Sequence, residues 1–254
     1  TILLQSLKVF AETNDYIQAL VRRETDLYYA GEHNRSFEDI NVKTIEELRV
    51  NEGACLARGF FLSIIPRRQR GASLYIGGQS SFVRVSLFEE RGLSVLAHLN
   101  PDTLQEIIVG PLKAWSGGLK LPSVFYATKL GNRLDVAGCK EVPLAEAHGP
   151  VRLRAEIVKA YVGARVHSET GGVLRGVRLT LRDESGEATV VSSSPPVLDA
   201  LCGMTSEEVV QYHSEGVLES ILKYIESSLV GVGCTVEGYA YGNLVAATEI
   251  RVQS

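Results

Sequence analysis

Seven arginines are the groups in this chain best suited to hold an anion: Arg67, Arg68 and Arg70 in Pro66-Arg67-Arg68-Gln69-Arg70-Gly71, and Arg152, Arg154, Arg178 and Arg182 on two candidate strands. A guanidinium presents a planar fork of donors that matches the oxygens of a phosphate or carboxylate two at a time, so a row of them suits either anion. The same row also reads as a solvated edge protected from aggregation by charge, or as a ribbon neutralised by acids elsewhere in the chain. The short basic loop suits a nucleic-acid backbone or an anionic membrane surface, although three arginines give modest affinity at physiological salt. Conspicuous aromatic stacking partners are missing beside it in sequence, so sequence-specific reading of RNA finds no support.

Acid-base groups are sparser. His98 falls near the end of a candidate strand with Asp102 close behind it, and His167 follows the arginine-rich strand. These three are the candidates for an enzyme that clamps a small anionic metabolite with arginines and moves a proton with His or Asp. His213 falls on the apolar stripe of a candidate helix and reads as a core histidine. The histidines are scattered and form no HExxH or close pair, so no metal site is expected, and no cofactor motif occurs. Neither GxxxxGK[ST] nor GxGxxG is present; Gly77-Gly78-Gln79-Ser80-Ser81 comes nearest and reads as a plain turn. GxSxG is absent too, and Ser192-Ser193-Ser194-Pro195-Pro196 reads as a strand end and extended loop.

Net charge over the 254 residues is -4, but the charge is sorted along the chain. Residues 151–182 hold seven basic side chains against two acids, and residues 183–254 hold eleven acids against two basic side chains. Opposite charge on two regions of one surface promotes association between copies. Cys55, Cys139, Cys202 and Cys234 lie too far apart for the close pairs of zinc sites or redox dithiols. They read as small buried hydrophobes in a reducing, cytoplasmic compartment. Charged residues interrupt every apolar run, so no transmembrane helix is expected.

The elements that must position these groups follow from periodicity. Apolar residues three and four apart predict a helix over the first thirty residues, and Thr44 with Glu47 predicts a capped short helix. Compact apolar runs at Phe60–Ile65, Leu74–Ile76, Phe82–Phe88 and Leu93–Leu99 predict a meander of strands. Asn100-Pro101 predicts a helix start, running to about Trp115, and Val124–Leu130 one further strand. Val151, Leu153, Ala155 and Ile157 alternate with polar residues, then the parity slips to Val158, Ala160 and Val162, the signature of a β-bulge. Gly171-Gly172 would reverse the chain, and Val177, Leu179 and Leu181 return, making a long basic hairpin. Thr205 and Glu208 cap a helix with the stripe Val210, His213, Val217, Ile221, Ile225 and Leu229, and a hairpin about Gly242-Asn243 closes the chain.

The order of elements predicts an α+β fold: a mixed, mainly antiparallel sheet with several helices, a long basic β-hairpin, and a C-terminal helix plus hairpin. No internal repeat is visible. Residues 1–254 read as a single domain or as two closely packed lobes with a boundary near 116–150. Two functions are consistent with these residues. One is a non-enzymatic, self-assembling binding protein whose basic ribbon meets an anionic partner: nucleic acid, an anionic surface, or the acidic face of another subunit in a homo-oligomer. The other is the anionic-metabolite enzyme built on His98, Asp102 or His167.

Overall fold

The structure is a computed structural model and describes residues 42–48, 55–88, 103–115, 118–121, 126–166 and 172–253. The helix expected over the first thirty residues, the strand at Leu93–Leu99, the reversal at Gly171, and His98, Asp102 and His167 lie outside the described residues. What is described is a mixed α+β fold dominated by antiparallel strands.

The first sheet contains β1 (Val42–Thr44), β2 (Cys55–Pro66), β3 (Ala72–Gly77), β4 (Phe82–Leu87), β5 (Gln105–Trp115), β6 (Gly118–Leu121) and β7 (Tyr126–Arg133). Around it the pairing runs β2-β3-β4-β6-β5 and returns from β5 to β2, with β4 and β6 parallel and the other pairs in the ring antiparallel. The sheet is therefore closed into a barrel of five strands, with β1 and β7 attached outside the ring. The second sheet contains β8 (Lys140–Glu141), β9 (His148–Val166), β10 (Val173–Asp183), β11 (Gly186–Ser192), β12 (Gly233–Tyr241) and β13 (Leu244–Val252). It closes in the same order, β9-β10-β11-β13-β12 and back to β9, again with its third and fifth strands parallel. Helices α1 (Pro195–Cys202), α2 (Ser206–Ser214) and α3 (Leu218–Leu229) fill the connection between its third and fourth strands.

Local chemistry explains most of these elements. Leu153, Ile157, Val177, Leu179 and Leu181 are buried, and Arg154, Arg178 and Arg182 stand exposed on the opposite face. The β9–β10 register shifts between Lys159 opposite Thr180 and Ile157 opposite Leu181, so Val158 is the extra residue of a bulge at the slip in parity. Thr205 and Glu208 form the expected capping box, the Glu208 N–H donating to Thr205 Oγ1 at 3.2 Å. The turn at Gly242-Asn243 joins β12 to β13 as expected.

Three expectations are corrected. The segment read as a helix up to Trp115 is strand β5 from Gln105 onward. Ile107, Val109 and Leu112 point into the barrel, and Gly110-Pro111 occupies a bulge where Cys55 faces Leu112 and Ala57 faces Val109. A proline lacks the N–H a helix interior requires and is tolerated at a bulge. Pro195-Pro196 opens α1 instead of lying in a loop, because the first helical turn needs no N–H from them. The single helix expected after Thr205 is two, broken at Gly216 with φ +73°, and this break rotates the buried stripe to Val209, Leu218, Leu222, Ile225 and Leu229. Val210, Val217 and His213 are exposed as a result.

Each barrel has its own apolar core, and a third cluster joins them: Leu62, Ile65, Tyr75 and Leu104 from the first side meet Val191, Tyr241, Leu244 and Ala246 from the second. Close seating depends on Gly163 and Gly176, which lie directly opposite each other across β9 and β10. A Cβ at Gly163 would stand 2.3 Å from the Pro66 carbonyl oxygen, and one at Gly176 would stand 2.4 Å from that of Ile64. Any side chain there would push β2 off the second barrel.

Candidate anion-binding groove

Seating β2 against β9 and β10 leaves a groove of about 420 Å³ beside the contact, lined by Ile65, Pro66, Arg67, Ser73, Tyr75, Arg84, Ser86, Tyr161 and Arg178. Its first wall is the outer face of β3 and β4. There Ser73 pairs with Ser86 and Tyr75 with Arg84, so period-two alternation points all four the same way. Arg67 enters from the end of β2, its Nη2 donating to Ser86 Oγ at 2.8 Å and to Ser73 Oγ at 3.3 Å. Burial, together with the nearby charge of Arg84, pulls the Arg67 guanidinium below its ordinary pKa.

The second wall is Tyr161 and its cross-strand partner Arg178. The Tyr161 hydroxyl donates to the Pro66 carbonyl at 2.9 Å, which fixes the ring at the junction of the barrels, and burial pushes its phenol up. The guanidinium groups of Arg68 and Arg178 each lie 5.5 Å from the ring centroid, within cation–π range. The 67–69 backbone is held by Arg165, whose Nη2 donates to the carbonyls of Arg67, Arg68 and Gln69 at 2.9, 3.1 and 3.0 Å. No carboxylate and no histidine stands among the described residues lining the groove. The arrangement offers fixed positive charge from Arg67, Arg84 and Arg178 beside the Tyr161 ring, which is the chemistry of holding an oxyanion.

The structure separates the seven arginines read from the sequence. Arg67 and Arg178 come together in the groove, and Arg68 lies over the Tyr161 ring while ion-paired to Glu226 of α3, lining the neighbouring cavity instead. Arg70 lies exposed in the same loop. Arg152, Arg154 and Arg182 are elsewhere, each against an acid. Arg152 Nε donates to Glu237 at 2.8 Å across the β9–β12 pair, Arg154 lies 3.2 Å from Glu141, and Arg182 Nε donates to Glu187 at 2.9 Å across the β10–β11 pair. Arg84, Tyr75 and Tyr161 were not singled out in sequence; the signal for Arg84 and Tyr75 is their shared parity on two strands of one hairpin.

The remaining candidates place as follows. His213 is exposed beside a neighbouring cavity of about 480 Å³ bordered by Arg68, Arg165 and Glu219, so it is no core histidine. Cys55 and Cys234 are buried and Cys139 and Cys202 partly so, and all four are free thiols. Burial pushes the Cys202 and Cys234 thiols up to about 11, away from nucleophilic use. Among the described residues no group of three or more His, Cys, Asp or Glu side chains is placed to hold a metal, and no helix is long and apolar enough to cross a membrane.

No family model and no curated protein matches the chain. Among solved structures it is similar to the Ifi202 HINa domain in complex with 20-base-pair double-stranded DNA, at 9% identity over 55% of this chain and 74% of that one, TM-score 0.27. It is similar to a replication protein A heterotrimer bound to single-stranded DNA at 13% identity over 85% and 70%, TM-score 0.29. It is similar to the OB domain of Ta0387 from Thermoplasma acidophilum at 10% identity over 37% and 91%, TM-score 0.27.

Proposed function

We propose that this protein is a non-enzymatic binding protein whose inter-barrel groove holds the phosphate backbone of single-stranded nucleic acid. The observation that carries the reading is the convergence of Arg67, Arg84 and Arg178 with Tyr75, Tyr161, Ser73 and Ser86, with no carboxylate among the described lining residues. Arginines track phosphates, and the partly exposed Tyr161 ring beside them gives a base a stacking surface, a combination that binds single strands with little sequence preference, while Tyr75, only 4% exposed, backs the wall. The groove also lies on the second and third strands of a closed five-stranded barrel, the face that oligonucleotide- and oligosaccharide-binding barrels use.

Self-assembly by opposite charge would draw on Arg152, Arg154 and Arg182, which already face carboxylates of their own chain. The groove cations therefore favour nucleic acid over a second copy as the anion. Fluorescence anisotropy with a labelled oligothymidylate tests the proposal. Saturable binding at low salt that is lost in the R84A/R178A double variant supports it, and absence of binding by the wild-type chain at low salt overturns it.

A further inference from the structure

We propose that the turn joining β3 to β4 is a second anion site, shaped for a tetrahedral oxyanion such as phosphate, which Glu46 occupies in cis and Tyr241 of the second barrel holds in shape. Three donors of this turn converge on one oxygen. Glu46 Oε1 accepts from the Gln79 N–H at 2.7 Å, the Ser80 N–H at 3.1 Å and the Ser81 hydroxyl at 3.3 Å. Successive backbone N–H groups aimed at one point form the concavity that binds phosphate in many proteins. The carboxylate filling it comes from more than thirty residues upstream, from a single 3-10 turn at Ile45–Glu47. The neighbouring Glu47 carboxylate accepts from the Thr44 N–H and hydroxyl at 2.8 and 2.9 Å, which closes that turn on itself and leaves Glu46 to face the loop.

Both glycines of Gly77-Gly78 make a close approach, each to a different group. A Cβ at Gly78 would lie 2.0 Å from Glu46 Oε1, inside the volume the anion fills, and one at Gly77 would lie 2.3 Å from the Tyr241 hydroxyl. That hydroxyl donates to the Gly78 carbonyl at 2.9 Å, and Tyr241 is only 4% exposed. In a trans peptide the C=O and the following N–H point in opposite directions, so fixing the Gly78 carbonyl aims the Gln79 N–H at the anion. The concavity is thus preorganised by a buried side chain that does not itself touch the bound oxygen. Burial works to raise the Glu46 carboxyl, but the donors from Ser80, its own backbone, Gln79 and Ser81 outweigh it and hold it below its ordinary value, as for an anion in a fitted site.

A carboxylate brings the turn one accepting oxygen and a single charge; a phosphate brings more of both. Glu46 therefore acts as a tethered competitor, and free phosphate binds the turn only when the carboxylate is displaced or removed. This inference is independent of the groove and fails or stands without it.

Backbone amide shifts of Gln79 and Ser80 under titration with inorganic phosphate, with chloride at matched ionic strength as control, test it. The expected result is saturable movement of both amides in E46A at concentrations about tenfold below any effect in the wild-type chain. Adding Y241F to E46A should weaken that response about fivefold, as loss of one orienting hydrogen bond implies. E46Q, which keeps the shape and loses the charge, decides the matter if E46A does not fold. Amides that stay still in the folded variants, or that move equally with chloride, overturn the site, and an unchanged response with Y241F overturns the role given to Tyr241.

Discussion

Arg84 and Arg182 occupy the same kind of position, the solvent side of a strand in a closed sheet, and their surroundings differ completely. Arg182 stands across from Glu187, and Arg152 likewise stands across from Glu237, so the far end of the basic ribbon is a set of cross-strand ion pairs. Arg84 stands across from Tyr75 and next to Arg67 and Arg178, with no acid among the described residues lining the space they share. The sequence holds more arginine in the ribbon than in the β3–β4 hairpin, yet it is the hairpin side whose groove has no acid among its described lining residues. Free positive charge is set by what folding brings opposite each guanidinium, and count along the chain does not report it.

The comparison breaks most severely if the barrels are pushed apart. Gly176→Val would place a branched side chain where its Cβ already lies 2.4 Å from the Ile64 carbonyl. The expected outcome is a loss of about 3 kcal/mol in urea denaturation, as for overpacking of a close contact. Oligothymidylate binding should be lost with it. Next in size, Arg84→Ala and Arg178→Ala should each weaken that binding about tenfold without changing the melting temperature appreciably, because each removes a charged contact from a solvent-open wall.

Glu226→Gln sharpens the contrast from the other direction. The Glu226 Oε1 also accepts from the Val162 N–H at 2.8 Å, a bond the amide oxygen can retain, while the charge opposing Arg68 is removed. Affinity should rise about threefold as Arg68 becomes available to a phosphate. Smallest of all, Arg182→Gln should leave affinity within about twofold and stability within about 0.5 kcal/mol, since its ion pair with Glu187 is largely solvent-exposed. A drop of the size expected for Arg84→Ala would mean that the ribbon, and not the groove, carries the charge that matters.

Legibility in the sequence followed how local each determinant is. The bulge at Val158, the Thr205–Glu208 box and the turn at Gly242-Asn243 rest on neighbours in sequence and were readable. Strand β5 was not, because Asn100-Pro101 imitates a helix start, while Gly110-Pro111 has meaning only opposite Leu56 of β2. The shared strand order of the two barrels left no readable repeat, since it is a property of pairing between distant segments and not of residue similarity. Arg67, Arg68 and Arg178 are singled out in the sequence by residue type alone. The convergence of Arg68 and Arg178 on Tyr161 was beyond reach because it depends on Gly163 and Gly176 admitting the backbone of β2, a contact spanning about a hundred residues of sequence.

The most direct test compares salt dependence of oligothymidylate affinity in the wild-type chain, in R67A/R84A/R178A and in R152A/R154A/R182A. With the groove cations on the phosphates, the wild-type slope of log affinity against log salt is about -2, from three contacts on a single strand. The ribbon variant keeps that slope and the groove variant loses the binding. A groove variant that still binds with the full slope, while the ribbon variant does not, would contradict the account.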